Sequence, residues 1–305
     1  MPVTVPPFVD AHHHLWDLQA CRYPWLMARG VKRFFGDPTP IQRNYLVNDL
    51  LVDAEGLPLQ ASVHVQVGVA PGDELAETAW LQDQADGGGQ GFPHAIVASV
   101  DLTSDRLDTQ LDQQQAFRNV RGIRQIVGRA PGEDALTGSG KLLKDPRWRE
   151  GLAVLAARDL SFDLQVVPAQ LEPVAELLAR VPGLAVALCH AGSPWERDAS
   201  GFVRWQQGIR AIAAVPGVCC KLSGLGMFDP QWSAASARPV FEHVLEVFGA
   251  ERVMLGSNFP VDRLYGSYRR VWEAWAQLAE PLDTAAREAL FSGTARRFYR
   301  LDQSD

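Results

Sequence analysis

Eight short apolar runs alternate with longer segments of helical periodicity, and this alternation limits what the chain can fold into more than any other feature. The runs cover residues 8–12, 61–67, 94–100, 120–126, 160–167, 184–190, 217–222 and 252–256. Between them, segments such as 73–85, 141–158, 170–180, 202–214 and 239–248 repeat apolar residues at helical spacing. Strands separated by helices build parallel sheets, because a parallel return needs a crossover. The runs are apolar on both faces, as strands held between a packed interior and a helix layer must be. Pro182-Gly183 and Pro216-Gly217 each stop a helix just ahead of a strand. Eight such units in 305 residues predict a single (β/α)8 TIM barrel over residues 1–305. An open doubly wound sheet would carry a glycine-rich turn after its first strand, where this chain has three histidines. Residues 19–49 read as an aromatic- and Arg-rich insertion after the first strand, which either caps the barrel mouth or packs as a surface loop. Residues 87–91 read as a glycine-rich connector.

Composition removes several function classes. At 47% hydrophobic and 21% charged residues the chain can bury a core, so it is not a disordered segment. A net charge of −7 and the lack of a long basic run argue against nucleic acid and membrane surfaces as partners. The four cysteines form no CxxC pair, and Cys219 and Cys220 sit in an apolar run as buried thiols. The first residues lack the pattern of a signal peptide, and no apolar stretch is long enough to span a bilayer. A cytoplasmic protein with a small-molecule substrate is the expectation.

The strongest chemical signal is Asp10-Ala11-His12-His13-His14 at the end of the first strand. Strand alternation predicts Asp10, His12 and His14 on one face and His13 on the other, under the helix layer. Two imidazoles two residues apart can grip one metal ion or polarise one carbonyl. His190 ends the sixth strand in His-Ala-Gly-Ser-Pro-Trp, at the rim where barrel active sites are built. Of Arg121 and Arg124, Arg124 lies nearer the end of strand four, where its fork suits a carboxylate or a lactone carbonyl. Lys221 and Ser223 share a face near the end of strand seven, which makes Lys221 a substrate-binding candidate with its stem buried and its ammonium at the mouth. Trp25, with Trp16 and Trp195, can wall a ring-shaped substrate. His64 is a core residue of strand two or a substrate contact.

Asp-Ala-His-His-His-Leu-Trp-Asp, Tyr23–Leu26, Val-Arg-Gly-Ile-Arg from Val120, His-Ala-Gly-Ser-Pro-Trp, Cys-Lys-Leu-Ser-Gly-Leu from Cys220, Gly-Ser-Asn-Phe-Pro-Val from Gly256 and the tail Gly293–Tyr299 appear in order. Together they resemble the amidohydrolase superfamily, in its amidohydrolase family 2 branch of TIM-barrel hydrolases. That branch includes sugar-lactone and pyrone-dicarboxylate lactonases and metal-dependent decarboxylases. The resemblance implies His12, His14 and His190 as metal ligands, with one divalent ion, zinc first among candidates, or a metal-independent site. It also allows a homo-oligomer.

The resemblance departs at Asn258, where the family carries an aspartate that orients or deprotonates water. An amide is neutral and has no useful basicity. His190 is the first candidate to replace that base and Asp262, four residues past Asn258, the second. Asp163 and Gln165, which share a face of strand five, are further candidates. The expected function is hydrolysis of a small ester, a lactone of sugar-acid or aromatic catabolism. The alternatives are a metal-dependent non-oxidative decarboxylase and a barrel that binds a small molecule without turnover.

Overall fold

The computed structural model describes residues 3–88 and 90–302, so Gly89 of the 87–91 connector lies outside the described residues. Eight strands run in parallel, each paired with its sequence neighbours: β1 Phe8–His13, β2 Leu59–Val65, β3 Ala95–Ala98, β4 Val120–Ile123, β5 Ser161–Leu164, β6 Val186–Leu188, β7 Val218–Leu222 and β8 Val253–Leu255. The result is a nearly closed barrel with helices between the strands. The seam between β8 and β1 is joined just past the end of β8. There the Asn258 N–H donates to the His12 carbonyl at 2.7 Å, and the His14 N–H to the Phe259 carbonyl at 2.7 Å. Gly256 permits this approach, since a Cβ there would lie 2.7 Å from His12 Cβ.

The interior is packed with small and branched side chains, among them Val9, Ala11, Val63, Val65 and Val97, with Met254 beside them. The opposite strand faces meet the helix layer. Phe8 stacks on Trp272 with centroids 3.7 Å apart, and Phe162 meets Trp148 edge-on at 5.7 Å. Burying such rings is the main source of stability for a fold of this type.

Several strands end earlier than the apolar runs. The run 184–190 pairs only over Val186–Leu188, because the backbone turns left-handed at His190 (φ 54°) and Ala191 (φ 51°). The run 160–167 pairs only over Ser161–Leu164. The expected helix 141–158 is two elements, a 3-10 stretch Ser139–Lys144 and a helix Pro146–Ala157. Asp145 divides them by accepting the Arg147 N–H at 2.9 Å, with Pro146 opening the new helix. The helix expected from Pro239 begins earlier, as Ala234–Phe248, because Ser233 caps it.

The insertion after β1 folds over the mouth. It contains the short helix Pro24–Met27 and is anchored by a Trp16–Tyr45 bridge, an Arg22–Asp73 ion pair at 2.9 Å and an Arg33–Glu133 ion pair at 2.5 Å. Among the described residues, no helix is long and apolar enough to cross a membrane.

Candidate functional site

A cavity of about 70 Å³ lies between the carboxyl ends of the strands and the insertion. His14, His190, Asn258, Arg124 and Gln165 line it from the barrel side. Trp25, Arg33, Phe34 and Phe35 line it from the insertion. The insertion therefore caps the site.

The three histidines converge. The His12 ring centroid is 4.5 Å from that of His190 and 5.1 Å from that of His14. His12 is fully buried, and neither of its ring nitrogens has a partner. Buried polar atoms are nearly always satisfied, so two orphan nitrogens on one ring call for a ligand. His14 is oriented by its Nδ1, 2.6 Å from the Val65 carbonyl. His190 is oriented by its Nδ1, 2.9 Å from Ser223 Oγ. Burial lowers the pKa of His190 to about 3 and those of His12 and His14 well below the usual value. All three are neutral at pH 7, the state in which imidazole offers a lone pair.

The backbone that presents these groups is strained. Seven non-glycine residues have positive φ among the described residues, and His190, Ala191, Ser193 and Asn258 are four of them. Such conformations cost of order 1–3 kcal/mol each and cluster at functional sites. Gly224 (φ 65°) follows Ser223, and a Cβ on it would lie 2.6 Å from His190 Nδ1 and 3.1 Å from Asn258 Nδ2. The Ser-Gly pair after β7 thus serves His190 twice, by a hydrogen bond and by leaving room.

Asn258 stands at the end of β8 with its Nδ2 donating to Asp262 Oδ1 at 2.8 Å and its Oδ1 3.3 Å from His14 Nε2. Asp262 is buried, and burial pushes its carboxyl up to about 7 against the opposing Asn258 hydrogen bond. It does not line the cavity; Asn258 stands in front of it.

Strict alternation fails on β1. Val9 and Ala11 face the interior and Asp10 turns to the β8 seam; the register then slips between Asp10 and His13, so that His12 faces His14 and His190 instead of following Asp10. The Asp10 carboxylate accepts from the Ser257 N–H at 2.9 Å, Ser257 Oγ at 2.6 Å and the Tyr268 hydroxyl at 3.0 Å. Asp10 is a seam residue and does not share a face with His12. His13 lies on the outer side, as expected, with Nε2 2.8 Å from Ser62 Oγ.

The remaining expected residues divide. Arg124 and Trp25 line the cavity. His64 does not; its Nδ1 accepts the Leu15 N–H at 3.0 Å. Lys221 points inward but is fully buried, with Nζ 2.5 Å from Asp163 Oδ2 and 4.9 Å from the Tyr299 ring. The Tyr299 hydroxyl donates to the other Asp163 oxygen at 2.7 Å. Asp163, Cys189 and His12 present ligand atoms within 4.8 Å of one another, closer together than the nitrogens of the histidine trio. Asp163 is already engaged by Lys221 and Tyr299, and the Cys189 thiol is pushed up to about 12 by burial, so the histidine trio fits an ion better. Arg129 and Glu133 went unread in the sequence, and Arg33 was read only as part of the Arg-rich insertion. Arg33 and Arg129 lie in irregular segments and Glu133 on the short helix Pro131–Thr137, and only the fold brings them together.

Comparison with known proteins agrees with this fold. The amidohydrolase family model matches residues 9–301. The protein y4mH of Sinorhizobium fredii is 39% identical over 295 residues, covering 96% of this chain and 98% of that protein. An L-fucono-1,5-lactonase of Burkholderia multivorans is 31% identical over 312 residues, covering 97% of this chain and 96% of that enzyme. The crystal structure of a Burkholderia multivorans amidohydrolase with bound zinc superposes with a TM-score of 0.80 at 29% identity, covering 97% of this chain and 99% of that one. A divalent ion fits this picture. The chain belongs to the amidohydrolase family, as a hydrolase of that type on a (β/α)8 barrel.

Proposed function

We propose that this protein opens a small lactone by attack of water on the ester carbonyl in the cavity above His12, His14 and His190. The observation that carries the reading is the convergence of three neutral imidazoles, one with both nitrogens unpartnered, beneath the aromatic residues and Arg33 of the insertion. The lactonase relatives support the ester over other hydrolase substrates.

His12, His14 and His190 would hold one divalent ion, zinc being the first candidate. Such an ion supplies Lewis-acid polarisation of the carbonyl. The remaining work belongs to the chain. Val65 and Ser223 fix the rings of His14 and His190. Arg124, whose Nε is buried without a partner, donates to the oxygen on which negative charge develops. In a metal-independent site, His190 takes the proton of the attacking water at Nε2 and returns it to the ring oxygen as the C–O bond breaks. Asp262 has the affinity for protons that suits neutral pH but sits behind Asn258, so it is the second candidate. Trp25, Phe34 and Phe35 exclude bulk water from the intermediate.

The test is a panel of sugar-acid and unsaturated lactones in a pH-indicator assay, run beside metal analysis of protein purified without chelators. Turnover whose basic limb is lost in His190→Ala and kept in Asp262→Asn supports the reading. No turnover across the panel overturns it, and binding without turnover moves the protein to the small-molecule-binding class.

A further inference from the structure

Gln66, the first residue past β2, is only 4% exposed and does not line the cavity, yet it joins two of the cavity's walls. Toward the barrel it grips Arg124 at both ends. The Gln66 carbonyl accepts from Arg124 Nη2, and the Gln66 side-chain Nε2 donates to the Arg124 carbonyl at 3.3 Å. The two backbones bracket the end of β3. The Gln66 N–H donates to the Val97 carbonyl at 2.9 Å, and the Arg124 N–H to the Ala98 carbonyl at 2.8 Å. Gln165 Oε1 accepts from Arg124 Nη1 at 3.2 Å. With both Nη atoms engaged, Nε, which is buried and has no partner, is the N–H left for a ligand.

Toward the insertion the same side chain shapes the turn that holds Trp25. Gln66 Oε1 accepts the Gly68 N–H at 2.6 Å, and Gly68 takes a left-handed φ of 85°. Val67, between them, presents its carbonyl to Trp25 Nε1 at 2.7 Å and its N–H to Glu77 Oε1 at 3.1 Å. Trp25 in turn meets Phe35 edge-on, with centroids 5.9 Å apart. One amide thus reaches both walls, as a donor to the Arg124 segment and as an acceptor for the turn under Trp25. A primary amide carries both kinds of group, whereas a carboxylate only accepts and a hydrocarbon does neither.

We infer that Gln66 is a positioning residue that sets the aim of Arg124 Nε and the seat of Trp25 as one unit. It touches neither substrate nor cavity and acts through those two side chains. A donor must be held in place before charge develops on the oxygen it serves, and a long guanidinium side chain is held only by its neighbours. The role of Arg124 in turnover rests on the lactone reading; the placing of Arg124 and Trp25 by Gln66 does not.

A double-mutant cycle tests this on a lactone the enzyme opens. Gln66→Leu should lower kcat/KM about tenfold, the scale of a misplaced catalytic group. Arg124→Lys should lower it about 100-fold, because the fork is lost. Gln66→Leu added to Arg124→Lys should cost clearly less than it does alone, since little remains for it to aim. Labelling with 5-fluorotryptophan supplies a readout free of turnover. The Trp25 fluorine resonance, assigned by its absence from Trp25→Phe, should shift or broaden in Gln66→Leu. The Trp275 resonance, from the helix Tyr268–Ala279, should stay in place. Gln66→Glu keeps an acceptor for the Gly68 N–H and loses the donor to Arg124, so it should preserve the Trp25 resonance and still lower kcat/KM. It also serves if the leucine variant fails to fold, and wild-type kcat/KM in it overturns the inference. A displaced Trp25 resonance in a protein that opens no lactone keeps the inference and sinks the lactonase reading. Wild-type kcat/KM with an unmoved Trp25 resonance in Gln66→Leu keeps the lactonase and sinks the inference, as do effects that multiply in full across the cycle. No turnover with an unmoved resonance overturns both.

Discussion

His14 and Asn258 meet acceptor to acceptor. The Val65 carbonyl, 2.6 Å from His14 Nδ1, can only accept, so Nδ1 carries the proton and the neutral ring leaves Nε2 bare. Asn258 gives its Nδ2 to Asp262, so its Oδ1 is the atom 3.3 Å from that bare nitrogen. Two lone pairs so placed favour a cation between or beside them. Protein purified without chelators should therefore carry about one equivalent of zinc by elemental analysis. Asn258→Leu should weaken retention by about 10- to 100-fold, the usual effect of losing a group that supports a metal site. Unchanged retention in Asn258→Leu would show that the amide does not help to hold the ion.

The Ser223 hydroxyl fixes the His190 ring without facing the cavity, so its loss should differ in kind from loss of the ring. His190→Ala should lower kcat by about 100-fold or more, within the range for a proton-transfer group or metal ligand. Ser223→Ala should lower kcat by about tenfold with KM nearly constant, and Ser223→Thr should recover part of it. A Ser223→Ala enzyme as weak as His190→Ala would place the hydroxyl in contact with the substrate.

Gly224 shows how narrowly the site is built. Gly224→Ala meets both a left-handed φ of 65° and a Cβ 2.6 Å from His190 Nδ1, so relaxation must displace the imidazole. We expect a loss of about 1–3 kcal/mol in denaturant unfolding, from strain and crowding together. Activity should fall further than stability, to the level of Ser223→Ala or below. Wild-type kcat in Gly224→Ala would mean that the ring tolerates the shift.

Much of this was legible in the chain, for reasons that separate the readable from the hidden. Strand–helix alternation is local, so the eight strands and the rim positions of His14, His190 and Arg124 followed from periodicity. The departure at Asn258 was equally plain, being a residue type at a motif position. The face of Asp10 was not legible, because the bulge in β1 has no signature in Asp-Ala-His-His. Nor was the fate of Lys221. Parity sent it inward, yet only the register of β5 against β7 sets Asp163 opposite it. Arg33 is 100 residues from Glu133, which sits on the short helix Pro131–Thr137 just past Arg129, and no pattern in sequence links the insertion to that segment.

Glu77 offers a check on burial that is independent of the chemistry. It is 1% exposed on the helix Glu74–Asp86, accepts the Val67 N–H at 3.1 Å, and burial pushes its carboxyl up to about 7. A folded-state pKa raised above the unfolded value of 4.5 gives a contribution fully present below pH 4.5 and lost as pH rises through about 7. Glu77→Gln does not titrate, so its stability should fall less between pH 5 and pH 8 than that of the wild type. The difference between the two proteins should reach about 3 kcal/mol at most in urea unfolding. Parallel curves for the two proteins would mean that Glu77 is hydrated in solution.

The cap must move for a substrate to enter. Small-molecule pockets enclose roughly 300 Å³ or more, and this cavity has about 70 Å³. Seating a ring-sized substrate therefore requires the insertion to shift outward. The latch is the tip of the insertion, where Arg33 and the Phe34 N–H hold Glu133 and the Tyr265 hydroxyl holds the Phe35 carbonyl. Glu133→Gln removes the charge that Arg33 grips while keeping the shape of the side chain. If opening limits turnover, as for many capped enzymes, kcat of the wild type should fall with solvent viscosity, and Glu133→Gln should lessen that dependence. KM should rise in the same variant, because a loosened cap closes less firmly on the bound lactone. Proteolytic cleavage near Arg33 should also speed up. A viscosity-independent kcat in the wild type, with equal cleavage rates in both proteins, would show that the Arg33–Glu133 pair is a static surface contact and that entry follows another route.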